Sequence, residues 1–595
     1  MLLWILRTNS AKKVSVTQLL PPPMRRFGQA QFLPPLALAL TFVAWLGLAP
    51  WRPILAGDDF GFYDSVVRTL LEGRPIVSDW LAPATVGLTL PATMLTWLVG
   101  DLWFGSMLTM GLFGALGLVA LWGVLRGLAL PPARIALTLL ILGFCPIYLG
   151  KWTRFESCLP SVSLLLTALA LMVRVFSPQA NAAPFGWRYS LVAGFCIAWA
   201  IAIRQNHVVM ILACILGLLV LPALRQRVRL LITWTLPAAL LFIAIRFGVP
   251  LSFAQRTATL DLVSAQFSVV SYGVALLRAV GFSAGMALLL VLLIAPQTIF
   301  RMVRHMSRRD WIIGLISSGL LLFYATTQRT LAWFSPNTDI LALQLVHPLL
   351  WIAIVLIGSL CWWPVVTSPL RSITPWIGGV LLLMAIGYLL LVAAWGYWEY
   401  YLLEPIVLLM LLLLIPTTDD TNRSTTHVGQ PARPYRFAQQ AWFMLIVIYV
   451  LLAWNMQWMS NDMQVTQLQV VEHAFRDRIA IPADIEQAPF GLLGWSLFPQ
   501  QVLRWPAKHQ GFSLAFWELQ SRNPTVSFRW GCADRTLDPS HDQLLRSGIV
   551  RVGWQPQCWS LVKHTGTVQA TTLITDHRYL PLTTVEWQQF LAQNR

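Results

Sequence analysis

Charge is scarce in this 595-residue chain: Asp, Glu, Lys and Arg together make up 11% of it, against 57% hydrophobic residues. A soluble domain of this size cannot be built from that composition. Acids are the scarcer sign, 25 against 42 Lys and Arg, which leaves a net charge of +17. Such an excess invites a nucleic-acid reading, but no basic face interleaved with aromatics is present, and the bases sit at the ends of apolar runs. Cysteine is sparse too, and none of the seven has the spacing of a zinc site. No internal repeat is visible, so the inverted-repeat signature of many transporters is missing. Residues 1–31 lack the order of a cleavable signal peptide: the bases follow the short apolar start, and Pro21–Pro23 come next.

What the chain does have is apolar length. Thirteen stretches stand out, near 32–48, 103–124, 135–149, 160–175, 190–203, 208–224, 230–248, 273–297, 312–325, 344–362, 376–395, 403–416 and 441–456. The charges between them alternate. The N-terminal arm and every second loop carry twenty Lys or Arg, among them Arg126, Arg174, Arg188, Arg301, Arg304, Arg308 and Arg309, with only Asp310, Asp419 and Asp420 as acids. The other eleven acids before residue 456 lie in the opposite loops or at their membrane boundary. Basic excess in short loops marks the cytoplasmic side, so the acid-bearing loops face out. The expected fold is an all-α polytopic membrane core of about thirteen helices with a small exported α/β domain. Its parts are a cytoplasmic arm (1–31), a transmembrane domain (32–456) with an outer loop at 49–102, and a periplasmic or extracellular tail (457–595). Residues 81–100 are read as a helix lying at the outer interface, because a further span there would invert every later loop. In the tail, Val465–Arg478 has a helical pattern, and Thr525–Trp530 and Gly548–Gly553 alternate like strands.

Five cysteines (Cys145, Cys158, Cys196, Cys214 and Cys361) lie in or beside apolar runs and read as packing residues. Cys532 and Cys558 are the two in the polar tail, and an exported domain permits a disulfide between them.

The outer loops concentrate the chemistry. After the first span comes Gly57-Asp58-Asp59-Phe60-Gly61-Phe62-Tyr63-Asp64, then Gly73-Arg74-Pro75 and Asp79-Trp80. Asp58 and Asp59 serve either as a helix cap with a solvated neighbour or, held at a membrane boundary among further acids, in proton or charge work. The next outer loop, Lys151-Trp152-Thr153-Arg154-Phe155-Glu156-Ser157, is either an interface anchor or a phosphate site. In the second case Lys151 and Arg154 meet the phosphate and Glu156 adds an acid or a metal ligand. Arg204-Gln205-Asn206-His207 joins two spans with almost no loop. Four polar groups at membrane depth are costly unless they line a cavity, which makes Arg204 a second phosphate candidate and His207 a hydrogen-bonded core residue. Arg329, with Gln328, Trp333, Asn337 and Asp339, belongs to a long outer loop that is either an ordinary connection or a clamp for the donor. Glu399 sits in the aromatic run Trp395–Tyr401, a membrane belt or a sugar-stacking surface.

The first outer loop resembles that of the GT-C glycosyltransferases, such as the protein O-mannosyltransferases and the lipid A aminoarabinose transferase. The matching elements are Asp58-Asp59, Tyr63, Gly73-Arg74-Pro75, Trp80, the Pro83–Leu98 helix and the Leu102–Leu125 span, covering about residues 50–130. The pair is Asp-Asp here, where Asp-Glu is commonest in those enzymes. The resemblance implies inverting transfer of a sugar from a polyprenyl-phosphate donor to a glycan, lipid or protein acceptor at the outer face of the cytoplasmic membrane. It makes Asp58 the base and Asp59 its support. No cofactor is required by it, though some relatives use a divalent cation such as Mg or Mn. Partners are the lipid donor, the acceptor and membrane lipids, with no nucleic acid. A transporter or flippase of lipid-linked sugars is the alternative. It would share the spans and buried charges but does not explain the large tail.

Overall fold

The computed structural model describes residues 31–49, 51, 67, 70–71, 86–176, 186–218, 224–248, 269–327, 348–367, 375–394, 402–415, 433–476, 526–530, 542–552 and 555–564. The helices within them are α1 (Leu33–Leu48), α2 (Val86–Val99), α3 (Leu102–Gly127), α4 (Pro132–Gly143), α5 (Pro146–Trp152) and α6 (Cys158–Phe176). Then come α7 (Gly186–Ile203), a 3₁₀ turn (Gln205–His207), α8 (Val208–Leu218), α9 (Leu224–Gly248), α10 (Val269–Ile294) and α11 (Pro296–Arg304). The series closes with α12 (Arg308–Thr327), α13 (Pro348–Thr367), α14 (Pro375–Ala394), α15 (Leu403–Leu414) and α16 (Arg433–Arg476).

Each of the thirteen apolar stretches coincides with a helix or helix pair. Among the described residues, seven helices are long and apolar enough to cross a bilayer, or eight if the bent pair α4–α5 counts as one span. The protein is a multi-pass membrane protein by this criterion. The expected thirteen crossings exceed that count by five because α1, α7, α8, α9 and α15 are apolar over less than a full span. Side chains such as Leu315, Ile316, Leu320 and Phe323 of α12 are exposed, as lipid-facing residues must be.

Three expectations need correction. The stretch 135–149 is not one straight helix: α4 and α5 meet at a 65° bend. Pro146 has no N–H to give the preceding turn, and Cys145 before it is extended (ψ 127°), so the helix restarts there. Lys151 and Trp152, read as loop, thus occupy the last turn of α5. The helix at Val465–Arg478 is no separate element of the tail but the end of α16, a single 44-residue helix that continues the last apolar stretch. The described part of the tail is otherwise three strands, β1 (Val526–Trp530), β2 (Asp542–Val552) and β3 (Gln555–His564), in one antiparallel sheet ordered β1-β3-β2.

The core packs α3 along α6, α6 against α7, α7 against α9, and α10 against α13. Helix α10 approaches α13 so closely that a Cβ on Gly358 would stand 1.8 Å from the Gly281 carbonyl oxygen. Small residues at such crossings let backbones touch where lipid offers no hydrophobic drive for association. Loop ends given one side by charge also meet in space. Trp199 near the end of α7 donates to the Gly87 carbonyl of α2, Ser190 lies 2.6 Å from Thr233, and Arg309 stacks over Trp363.

Candidate active site

The α5 segment is held from three directions. Trp152 stacks on Trp45 of α1, with ring centroids 5.6 Å apart and planes 15° off parallel, and Trp45 Nε1 donates to the Trp152 carbonyl at 3.0 Å. The opposing wall is α3, where Gly114 leaves room for the Trp152 indole: a Cβ there would meet its Nε1 at 2.1 Å. Tyr148 OH donates to the Gly114 carbonyl at 2.8 Å. From the third side comes α16. Gln457 Nε2 donates to Thr153 Oγ1 and to Asn461 Oδ1, both at 2.9 Å, and Asn461 Nδ2 donates to the Leu48 carbonyl at 2.5 Å. The last helix therefore clasps the end of α1 and the turn after α5 together.

Inside this frame Lys151 is fully buried, and its Nζ pairs with Glu156 Oε2 at 2.6 Å. Arg154 in the same turn is 8% exposed. Lys151 and Trp152 are both fully buried, whereas interface anchors usually sit at the exposed rim. Glu156 acts here as the partner of Lys151.

The second half of the site comes from the α7–α8 junction. The helix ends at Ile203, the chain makes a 3₁₀ turn, and Arg204 points into the core beside Cys158, the first residue of α6. Its Nη1 lies 2.8 Å from Cys158 Sγ and 3.4 Å from Glu404 Oε1. His207 Nε2 lies 3.8 Å from the same Glu404 oxygen, while Nδ1 is 2.5 Å from Tyr388 OH. His207 is thus a hydrogen-bonded core residue, as its sequence setting implies. Lys151 and Arg204 both contribute to the electrostatic field at Cys158 and at Glu404.

Glu404 is the residue the sequence reading passed over. All twelve residues of α15 are buried, and Glu404 is its sole acid, placed in the first turn where the helix dipole favours a negative charge. Among the described residues, its Oε2 is buried without a hydrogen bond. An acid opening an otherwise apolar run is the signal that would have found it. Tyr388, Gln457 and Asn461 were also missed: Tyr388 is a lone polar residue in an apolar helix, and the other two stand among several polar residues where the last apolar stretch ends. Among the described residues, three buried cations (Lys151, Arg154 and Arg204) and two buried carboxylates (Glu156 and Glu404) belong to these elements.

Asp58, Asp59, Tyr63, Arg329, Glu399 and Cys532 lie outside the described residues, as does the Cys558 side chain. Among the described residues there is no disulfide, and the other five cysteines are free and buried. No three His, Cys, Asp or Glu among the described residues are grouped to hold a metal ion.

No protein-family model matches the chain, and no curated protein does. Solved structures similar to it include the Archaeoglobus fulgidus oligosaccharyltransferase in the apo form, at 12% identity and a TM-score of 0.46 over 84% of this chain and 69% of that one. The same organism's AglB, in complex with an inhibitory peptide and a dolichol-phosphate, aligns at 12% identity and a TM-score of 0.42 over 76% of this chain and 58% of that one. ArnT from Cupriavidus metallidurans, bound to undecaprenyl phosphate, aligns at 13% identity and a TM-score of 0.39 over 88% of this chain and 97% of that one.

Proposed function

We propose that this protein is a membrane glycosyltransferase that takes a sugar from a polyprenyl-phosphate donor and passes it to a hydroxyl-bearing acceptor at the outer face of the cytoplasmic membrane. The observation that carries the reading is the burial of two cations, Lys151 paired with Glu156 and Arg204 beside Glu404, at the same end of the bundle as Leu48. From Leu48 the chain runs into the loop that contains Asp58 and Asp59.

The division of labour follows from charge. A lipid carrier diffuses in the bilayer and presents a phosphate at membrane depth. Arg204 offers a planar fork to its oxygens and Lys151 a point charge. Both favour the transition state, in which the bond from the anomeric carbon to the phosphate oxygen breaks and its electron pair moves to the phosphate. On the opposite face of the sugar, Asp58 takes the proton of the acceptor hydroxyl as its oxygen bonds to that carbon, inverting the centre. Asp59 supports or orients this exchange. Tyr63, Arg329 and Glu399 are assigned to holding donor and acceptor. A divalent cation, if used, would draw ligands from the acid-rich first loop, and no step is assigned to it. The exported tail, carried on α16, is placed on the acceptor side.

The test is transfer of labelled sugar in detergent micelles, where no compartment exists. Turnover there supports an enzyme. Movement of lipid-linked sugar across vesicles without turnover supports the transporter instead.

A further inference from the structure

A basic surface lies away from these buried cations, where α10 gives way to α11 and α12. Pro296 restarts the helix after Ala295, and α11 is strongly amphipathic. Gln297, Arg301 and Arg304 share one face by helical spacing, while Ile299, Met302 and Val303 share the other. Of that second face Met302 is buried, while Val303 is exposed and Phe300 stands 68% exposed beside the arginines. His305, Arg308 and Arg309 continue the exposed basic surface into the first turn of α12. The single acid of the segment caps the next helix: Asp310 Oδ2 accepts from the Ser307 N–H at 2.7 Å, and Ser307 Oγ accepts from the Asp310 N–H at 3.2 Å. That reciprocal pair is a capping box for α12, with Asp310 in the Glu position. Arg309 stacks over Trp363 with its guanidinium carbon 5.7 Å from the ring, which fixes one cation in place.

We propose that Arg301, Arg304 and Arg308 form a docking platform for anionic phospholipid headgroups. Charge complementarity and placement both select this occupant. The surface adjoins helices that face lipid, and exposed Phe300 and Trp311 enter the acyl boundary while the guanidiniums reach headgroup phosphates. Guanidinium suits phosphate better than ammonium, and all the Lys/Arg positions of this segment are arginine.

The experiment uses the full-length protein in micelles containing phosphatidylglycerol and phosphatidylcholine, with bound lipids counted by native mass spectrometry during titration. Wild type is expected to bind phosphatidylglycerol in preference to phosphatidylcholine. Each arginine removed weakens phosphatidylglycerol binding by about fivefold, so Arg301→Gln/Arg304→Gln/Arg308→Gln loses the preference while phosphatidylcholine counts stay the same. Arg174→Gln/Arg188→Gln, which leaves the platform untouched, keeps it. Arg304→Glu alone, at an exposed position, changes the charge by two and weakens phosphatidylglycerol binding by about 25-fold in a minimally altered chain, and Arg301→Lys/Arg304→Lys keeps most of the binding. A triple variant or Arg304→Glu that binds phosphatidylglycerol like wild type overturns the proposal. So does an equal loss in Arg174→Gln/Arg188→Gln, or a wild type without preference.

Discussion

Arg204 and Glu404 are 200 residues apart in the chain and 3.4 Å apart in the structure. The contact ties the α7–α8 junction to the start of α15, so the carboxylate sets where the guanidinium stands. Breaking a buried pair from one side leaves an uncompensated charge, worth about 3–5 kcal/mol, whereas replacing both partners is often neutral. Glu404→Leu and Arg204→Met should each lower the midpoint of thermal unfolding in detergent, and the double variant should recover most of the loss. Additive losses would show that the pair is not coupled.

The Lys151–Glu156 pair predicts a separation of stability from binding. Lys151→Met strands Glu156 and should cost both stability and affinity for undecaprenyl phosphate. Lys151→Met/Glu156→Gln should regain stability but not affinity, because the cation facing the phosphate is still missing. Isothermal titration with undecaprenyl phosphate, beside thermal unfolding, reads the two effects separately. Full recovery of binding in the double variant would remove Lys151 from the phosphate site.

Gln457 and Asn461 make α16 a clasp over the turn after α5. Gln457→Leu removes the hydrogen bond to Thr153 and should cost about 1–3 kcal/mol, the usual penalty of a lost buried partner. Hydrogen exchange should quicken at residues 149–157 and at the end of α1, and remain unchanged in α13. Uniform exchange across all helices would argue against a local clasp.

Gly114 is required by contact. Gly114→Val drives a side chain into the Trp152 indole and should destabilise by about 1–3 kcal/mol as overpacking. Gly379, which has open space around its missing side chain, should accept alanine with little change. Comparable melting shifts for Gly114→Val and Gly379→Ala would show that the α3–α5 contact does not constrain this wall.

Much of the fold was legible because apolar length and loop charge act residue by residue. The ends of α3, α6, α10 and α14 fall within a few residues of their expected bounds. What could not be read needed partners distant in sequence. Glu404 and Arg204 look unrelated until α15 is packed beside α6, and Gln457 is one of several polar residues at the end of an apolar stretch until it reaches Thr153. Lys151 and Arg204 were legible as cations in consecutive outer loops, and the structure buries both, the first paired with Glu156 and the second beside Glu404. The break at Pro146 was visible in the residue itself but was outweighed by the continuous hydrophobicity around it.

The most direct test of the central claim is release of free polyprenyl phosphate by the full-length protein in detergent. It is measured with polyprenyl-phosphate hexoses and pentoses as donors and a bacterial envelope lipid extract as acceptor. The account predicts acceptor-dependent release with at least one donor. It also predicts a fall of about 10²–10⁴-fold in Asp58→Asn, the range for loss of a general base, in protein that still inserts and melts like wild type. Release by Asp58→Asn and Asp59→Asn at the wild-type rate, or no release with any donor while the intact protein carries the same lipids across vesicles, would contradict it.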